Sequence, residues 1–148
     1  MNQKLMYAIP MMVLALSMVS AAYFYSLRGT GGSVVQVEGN PFSASSIDFS
    51  AYVTPDATGG QGSLSLQGTN RYSVQWSSSQ VLVDNANILQ VQAQGFRYVT
   101  TRINGFPVTQ KVSGTVTFTY DKIAGLTDVV GSNGLNFQVD NIPTTRLR

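Results

Sequence analysis

The fold class of this chain is decided by the stretch Val99-Thr-Thr-Arg-Ile-Asn-Gly-Phe-Pro-Val-Thr-Gln-Lys-Val112. A segment with the spacing of a β-strand leads up to Asn104-Gly105, and a second segment returns after that pair. Asn-Gly is the strongest short hairpin signal because both central residues of the favoured turn need positive φ. The stretch therefore predicts two antiparallel strands joined by a tight turn.

The same period-two alternation of apolar and polar residues recurs through most of the chain. The other alternating runs are Ile47–Val53, Leu64–Leu66, Tyr72–Trp76, Val81–Val83, Leu89–Ala93, Val116–Tyr120 and Leu135–Val139. After Arg28 only Lys122–Val130 is a candidate for a helical turn. The strand spacing is typical of a sandwich or a barrel. One apolar face per strand favours an all-β antiparallel β-sandwich, Ig-like or jelly-roll-like, of about eight or nine strands.

A different stretch, Met6–Leu27, contains 22 residues and no charge. As a helix it would be about 33 Å long, enough to cross the hydrocarbon core of a bilayer. The small residues around Ala21 also fit the cleavage rule of a removable signal peptide. We favour an uncleaved signal-anchor, because the apolar region of a signal peptide is normally shorter and aromatic residues lie at both ends of this one.

The transmembrane prediction assigns roles to individual side chains. The expected membrane-interface residues are Tyr7, Tyr23, Phe24, Tyr25 and Arg28. Small residues that would let a second helix approach closely are Ser17, Ala21, Ala22 and Ser26. Lys4 on the N-terminal side favours a cytoplasmic N-terminus and a C-terminal domain that is extracellular or periplasmic.

These observations divide the chain into four parts. Residues 1–5 form a short N-terminal segment, 6–27 a transmembrane helix, 28–33 a flexible Gly-rich tether, and 34–148 an extracytoplasmic β-domain. Charged residues make up only 11% of the chain, against about a quarter in a typical soluble protein. A surface rich in Thr, Ser and Gln is consistent with a location outside the cytoplasm.

The chain lacks the residues that most catalytic mechanisms require. It contains no Cys and no His, so Ser/His/Asp and Cys/His sites are impossible. The acidic residues occur singly and match no calcium-binding loop. A Ser–Lys dyad through Lys111 or Lys122 stays open, but no local motif supports it. We therefore predict no catalytic residues, no metal site and no cofactor. Residues 29–148 carry seven basic and seven acidic side chains. That neutral balance gives no support to nucleic-acid binding.

Binding remains open, and two groups of residues are candidates. Phe96, Arg97, Tyr98 and Arg102 place two cations near aromatic rings and form a possible partner-contact patch. Trp76 would support glycan binding only if it were exposed, and its spacing from Val74 favours a place in the core.

We therefore expect a non-catalytic single-pass membrane protein that is an accessory or structural subunit of a membrane-bound complex, such as an enzyme or an envelope. Its expected partners are the lipid bilayer and other membrane protein subunits, without nucleic acid. The alternatives are a membrane-anchored module that binds a ligand or glycan, and a β-domain secreted after signal cleavage.

Overall fold

The structure is a computed structural model that describes residues 25–54 and 60–147. These residues form nine β-strands: β1 Tyr25–Thr30, β2 Ser33–Val37, β3 Ser46–Val53, β4 Gln61–Gln67, β5 Arg71–Asp84, β6 Ile88–Ile103, β7 Phe106–Asp121, β8 Leu126–Ser132 and β9 Phe137–Arg146. No helix among the described residues is long and apolar enough to cross a membrane. The part of the predicted transmembrane helix that precedes Tyr25 lies outside the described residues.

The strands form a single antiparallel sheet that closes on itself as a barrel. Their order is β1-β3-β4-β5-β6-β7-β8-β9-β2, and β1 also pairs with β9. β1 and β2 lie end to end along β9, where Gly29 faces Thr144 and Ser33 faces Asp140. The all-β antiparallel prediction is confirmed, but the two-sheet sandwich is wrong. One apolar face per strand satisfies either architecture, so alternation alone does not distinguish them.

The predicted boundaries around residue 28 also differ from the structure. Tyr25–Thr30 is a strand, so neither a helix ending at Leu27 nor a tether beginning at Arg28 describes this part of the chain. Tyr25 and Leu27 point into the core, while Arg28 is exposed. The alternation of buried and exposed residues in β1 is hard to recognise in the sequence, because the strand begins within the uncharged stretch Met6–Leu27. The chain bends at Gly31-Gly32, where φ angles of 86° and 112° favour glycine.

Several strands are longer than their sequence patterns suggest. β5 has 14 residues, and β6 and β7 have 16 each, so each joins two of the predicted segments. β8 was not predicted as a strand. The segment Lys122–Val130, the candidate for a helical turn, consists of a four-residue turn followed by the first part of β8.

The barrel interior is filled by side chains from every strand. Its centre contains Phe49, Trp76 and Phe118, with ring centroids 5.5 to 6.1 Å apart. Gly62 lies directly across from Trp76, and a Cβ there would meet the indole ring and the Ser50 carbonyl oxygen. An eight-stranded circumference encloses just enough room for such a packed core.

Strand direction defines two ends of the barrel. The Tyr25 end is where β1 begins, and it carries the turns Asn85–Asn87 and Lys122–Gly125 together with Leu147. The opposite end carries the turn at Asn104-Gly105, so the β6–β7 hairpin points away from the Tyr25 end.

Candidate functional site

The β6–β7 hairpin extends beyond the barrel as a two-stranded ribbon, defined here as Arg97–Val112. β5 pairs with β6 only as far as Phe96, and β8 pairs with β7 only from Thr115 onward. β6 and β7 continue to pair up to Ile103 and Phe106. Seven cross-strand pairs at about 3.4 Å per residue give the ribbon a length of about 24 Å. No other strand of the described residues pairs with either ribbon edge.

The tip of the ribbon has the turn that its sequence predicts. Asn104 and Gly105 have φ angles of 52° and 83°, both in the left-handed region. Two consecutive positive values are the signature of a type I′ turn, which matches the twist of the flanking strands. The predicted hairpin is therefore confirmed.

The two faces of the ribbon present different side chains, since directly paired residues lie on the same face. Ile103 and Phe106 are paired on one face and are 52% and 73% exposed. Tyr98, 61% exposed, is paired with Lys111 on the other face. Large exposed apolar groups at a narrow tip are typical of a contact surface.

The charged residues of the ribbon are all basic. The ribbon carries Arg97, Arg102 and Lys111, and no acidic residue occurs between Asp84 and Asp121. The Lys111 ammonium lies 4.4 Å from the centroid of the Phe96 ring, a cation–π arrangement. The ribbon thus combines positive charge with exposed aromatic surface.

Arg97 fixes the base of the ribbon to the barrel. Its Nη1 donates a hydrogen bond of 3.0 Å to Glu38 Oε1, and its guanidinium lies 4.0 Å over the centroid of the Tyr72 ring. Burial raises the pKa of the Tyr72 hydroxyl to about 12, although the charge of Arg97 opposes the shift. Arg97 therefore contributes to the attachment of the ribbon to the barrel.

The structure divides the predicted contact patch between the two faces. Phe96 and Tyr98 meet edge to face with centroids 5.7 Å apart, and Arg102 follows them on the same face. Arg97 lies on the opposite face, toward Tyr72. Sequence reasoning missed Lys111 and the exposed tip residues, because the cross-strand register that brings them together depends on the turn.

A second polar cluster closes the Tyr25 end of the barrel. Lys122 Nζ donates to Asp84 Oδ1 at 2.6 Å, to Asn85 O at 2.6 Å and to Tyr25 Oη at 2.8 Å. The Tyr25 hydroxyl donates to Asp84 Oδ1 at 2.7 Å. The Arg146 guanidinium lies 4.3 Å from the centroid of the Tyr25 ring. This Tyr25 cluster fixes the first described residue of the chain to three distant segments.

The electrostatics of the cluster follow from these bonds. Burial acts to raise the pKa of Asp84, but hydrogen bonds from Lys122 and Tyr25 and the positive charge of Lys122 lower it overall. Burial acts to lower the pKa of Lys122, but the hydrogen bonds to Asp84 and Tyr25 raise it overall. Burial raises the pKa of Tyr25. The cluster therefore favours a charged Asp84–Lys122 pair beside a neutral phenol.

The remaining predicted site residues fall into two groups. Those outside the described residues are Tyr7, Ser17, Ala21, Ala22, Tyr23 and Phe24. Within β1, Ser26 is half-buried and Arg28 is exposed, whereas Tyr25 lies inside the barrel and not on a lipid-facing surface. The sequence pattern does not indicate Asp84 or Lys122 as partners of Tyr25, because they lie 59 and 97 residues away from it.

Residues 25–54 and 60–147 contain no group of three or more acidic, Cys or His side chains that could hold a metal ion. Trp76 is buried in the core, so it offers no exposed platform for a glycan. A comparison with known proteins finds no matching family model, curated protein or solved structure.

Proposed function

We propose that this chain is a non-catalytic single-pass membrane protein that serves as an accessory or structural subunit of a membrane-bound complex. Its β-domain lies outside the cytoplasm, and the ribbon contacts a neighbouring subunit. The observation that carries this proposal is a 24 Å ribbon, by about 3.4 Å per residue, that exposes Tyr98, Ile103 and Phe106 beyond the barrel.

A two-stranded ribbon with no covering layer is only marginally stable by itself. Docking against a partner would bury its exposed rings, and its free edges could pair with a strand of that partner. Aromatic residues and arginine dominate the energetics of protein interfaces. The absence of acidic residues from the ribbon favours an acidic surface on the partner.

The membrane part of the proposal rests on the uncharged sequence before Tyr25. Met6–Phe24 would form a helix of about 28 Å, close to the thickness of the hydrocarbon core. An anchored subunit shares the membrane with its partner, which raises the effective concentration of the ribbon for the part of that partner that extends beyond the bilayer.

The test is gentle detergent extraction of the full chain from its native membrane, followed by native gel electrophoresis and mass spectrometry. Wild type should migrate in a larger complex, and Phe106→Ser should weaken that complex by roughly 30-fold if Phe106 is a hot spot. Val130→Ser is the matched control, because Val130 is exposed on β8 away from the ribbon. Migration of wild type as a lone monomer, or equal behaviour of both variants, would contradict the proposal.

A membrane-anchored glycan-binding module is the second candidate. A groove on the outer face between β5 and the ribbon is lined by Ser73, Gln75, Phe96 and Tyr98. Sugars pack on such rings and bond to such polar groups. Glycan-array binding that is lost in Tyr98→Ser but retained in Phe106→Ser would favour this function, since Phe106 lies on the other face.

A further inference from the structure

We infer that the Tyr25 end of the barrel rests directly on the bilayer surface, with Ile123 and Leu147 inserted among the lipid headgroups. This inference depends on the membrane anchoring in the proposed function and adds the orientation and the contact surface of the barrel. Its occupant is a lipid surface, and a protein surface at the same place is an outcome of the test.

Strand β1 includes the last three residues of the uncharged stretch Met6–Leu27. Tyr25 is only 3% exposed and is already the first residue of β1. An anchor that includes Phe24 would therefore be followed by the barrel with no spacer between them. The Tyr25 end would then lie within a few ångströms of the membrane, because one residue adds at most about 3.6 Å.

The contacts of the Tyr25 cluster fix the start of β1 to the rest of the barrel. Lys122 and Arg146 both contact Tyr25, one through a hydrogen bond and one over its ring. The Leu147 amide also donates a 2.7 Å hydrogen bond to the Ser26 carbonyl oxygen. The start of β1 is thus held by the β7–β8 turn and by the C-terminal segment.

Large exposed apolar side chains directly follow the two cations that contact Tyr25. Ile123 follows Lys122 and is 78% exposed, the highest value of any large apolar residue in the described chain. Leu147 follows Arg146 and is 62% exposed. Transfer of apolar side chains from water into the membrane interface lowers the free energy, so these residues would stabilise contact with the bilayer.

The turn that carries Ile123 has its backbone donors satisfied. The amides of Ile123 and Ala124 donate to Asp121 Oδ1 at 2.9 Å. The amide of Lys122 donates to Asn87 O, and that of Gly125 donates to Asp121 O. All four N–H groups of the turn are therefore bonded within the protein. This lowers the cost of placing the turn where water is scarce.

The absence of cysteine in the chain allows a direct test with single labels. Full-length Ile123→Cys is labelled with the fluorophore NBD and reconstituted into vesicles of phosphatidylcholine and phosphatidylglycerol, with or without a nitroxide-labelled lipid. Ile103→Cys is the matched control, since it is also an exposed isoleucine but lies at the ribbon tip. Label at 123 should lose roughly half its emission, as interfacial groups lie about 5–10 Å into the headgroup region, and label at 103 should lose almost none.

Leu147→Cys provides a second label position if Ile123→Cys does not fold, and fluorescence of the buried Trp76 checks folding in each case. If the protein floats with the vesicles but labels at 123 and 147 are unquenched, the inference is wrong while the anchoring stands. Equal quenching at 103 also overturns it. If the full chain fails to float with the vesicles, the proposed anchoring is wrong and the inference falls with it.

Discussion

Lys122 is the residue on which the Tyr25 end of the barrel depends most. Its ammonium uses three hydrogen bonds to join β1, β5 and the turn after β5. Replacing it leaves the Asp84 carboxylate and the Tyr25 hydroxyl without their common partner. The resulting loss is larger than for an isolated surface ion pair, because hydrogen bonds to partly buried groups are lost with the charge.

We expect Lys122→Met to lower the free energy of unfolding by about 1 kcal/mol near neutral pH. Urea unfolding followed by Trp76 fluorescence measures this, because Trp76 is the only tryptophan and is buried. Lys111→Met is the matched control and should change stability by less than about 0.5 kcal/mol, since Lys111 is exposed on the ribbon. Equal effects of the two substitutions would contradict the importance of the cluster.

The pH dependence of this difference has a definite sign. The pKa of Asp84 is lowered by folding, so its contribution is present above the unfolded value of about 3.8 and is lost as pH falls through the folded value. The pKa of Lys122 is raised, so its contribution is present below the unfolded value of about 10.5 and is lost as pH rises through the folded value. The gap between wild type and Lys122→Met should therefore be widest between these limits and shrink in acid.

At the scale of single elements, the ribbon shows which features local sequence can predict and which it cannot. Asn104-Gly105 predicts the turn because the φ requirement is local. The length by which the ribbon extends beyond the barrel is not determined by local sequence, since it depends on where β5 and β8 stop pairing. The candidate patch was therefore predicted in part: Tyr98 and Arg102 share a face, but Arg97 turns to the barrel.

β8 shows why an element can escape prediction altogether. Its inward positions include Thr127, which is completely buried and shares a 2.7 Å hydrogen bond with the Thr144 hydroxyl. Its outward positions include the apolar Val130. A polar residue inside and an apolar residue outside break the simple alternation, even though each is physically satisfied.

Amide hydrogen exchange on the isolated full chain tests the ribbon as an element. Amides of Val99–Gln110 should exchange at least about tenfold faster than those of Leu89–Gly95 on the same strand pair, because only the latter are flanked by further strands. Equal protection in the two segments would show that another layer covers the ribbon.

At the scale of the whole molecule, the sequence predicted an antiparallel all-β fold but not its closure. Closure depends on pairing between β1 and β9, which are about as far apart in sequence as the described chain allows. Such long-range pairing is encoded by the combined length and twist of all strands and not by any one segment. The closure also changes the proposed arrangement at the membrane, because strand β1 occupies part of the segment that was expected to be a flexible tether.

The most direct test of the closed barrel is a disulfide between Arg28→Cys and Thr145→Cys in the full chain. These positions are exposed and directly paired across the β1–β9 seam, and the chain has no other cysteine. We expect rapid intramolecular disulfide formation under mild oxidation, and stabilisation of up to about 4.7 kcal/mol from closing so long a loop. Arg28→Cys with Thr109→Cys on the ribbon is the control. Failure of the seam pair to cross-link, or equal cross-linking in the control, would contradict the barrel.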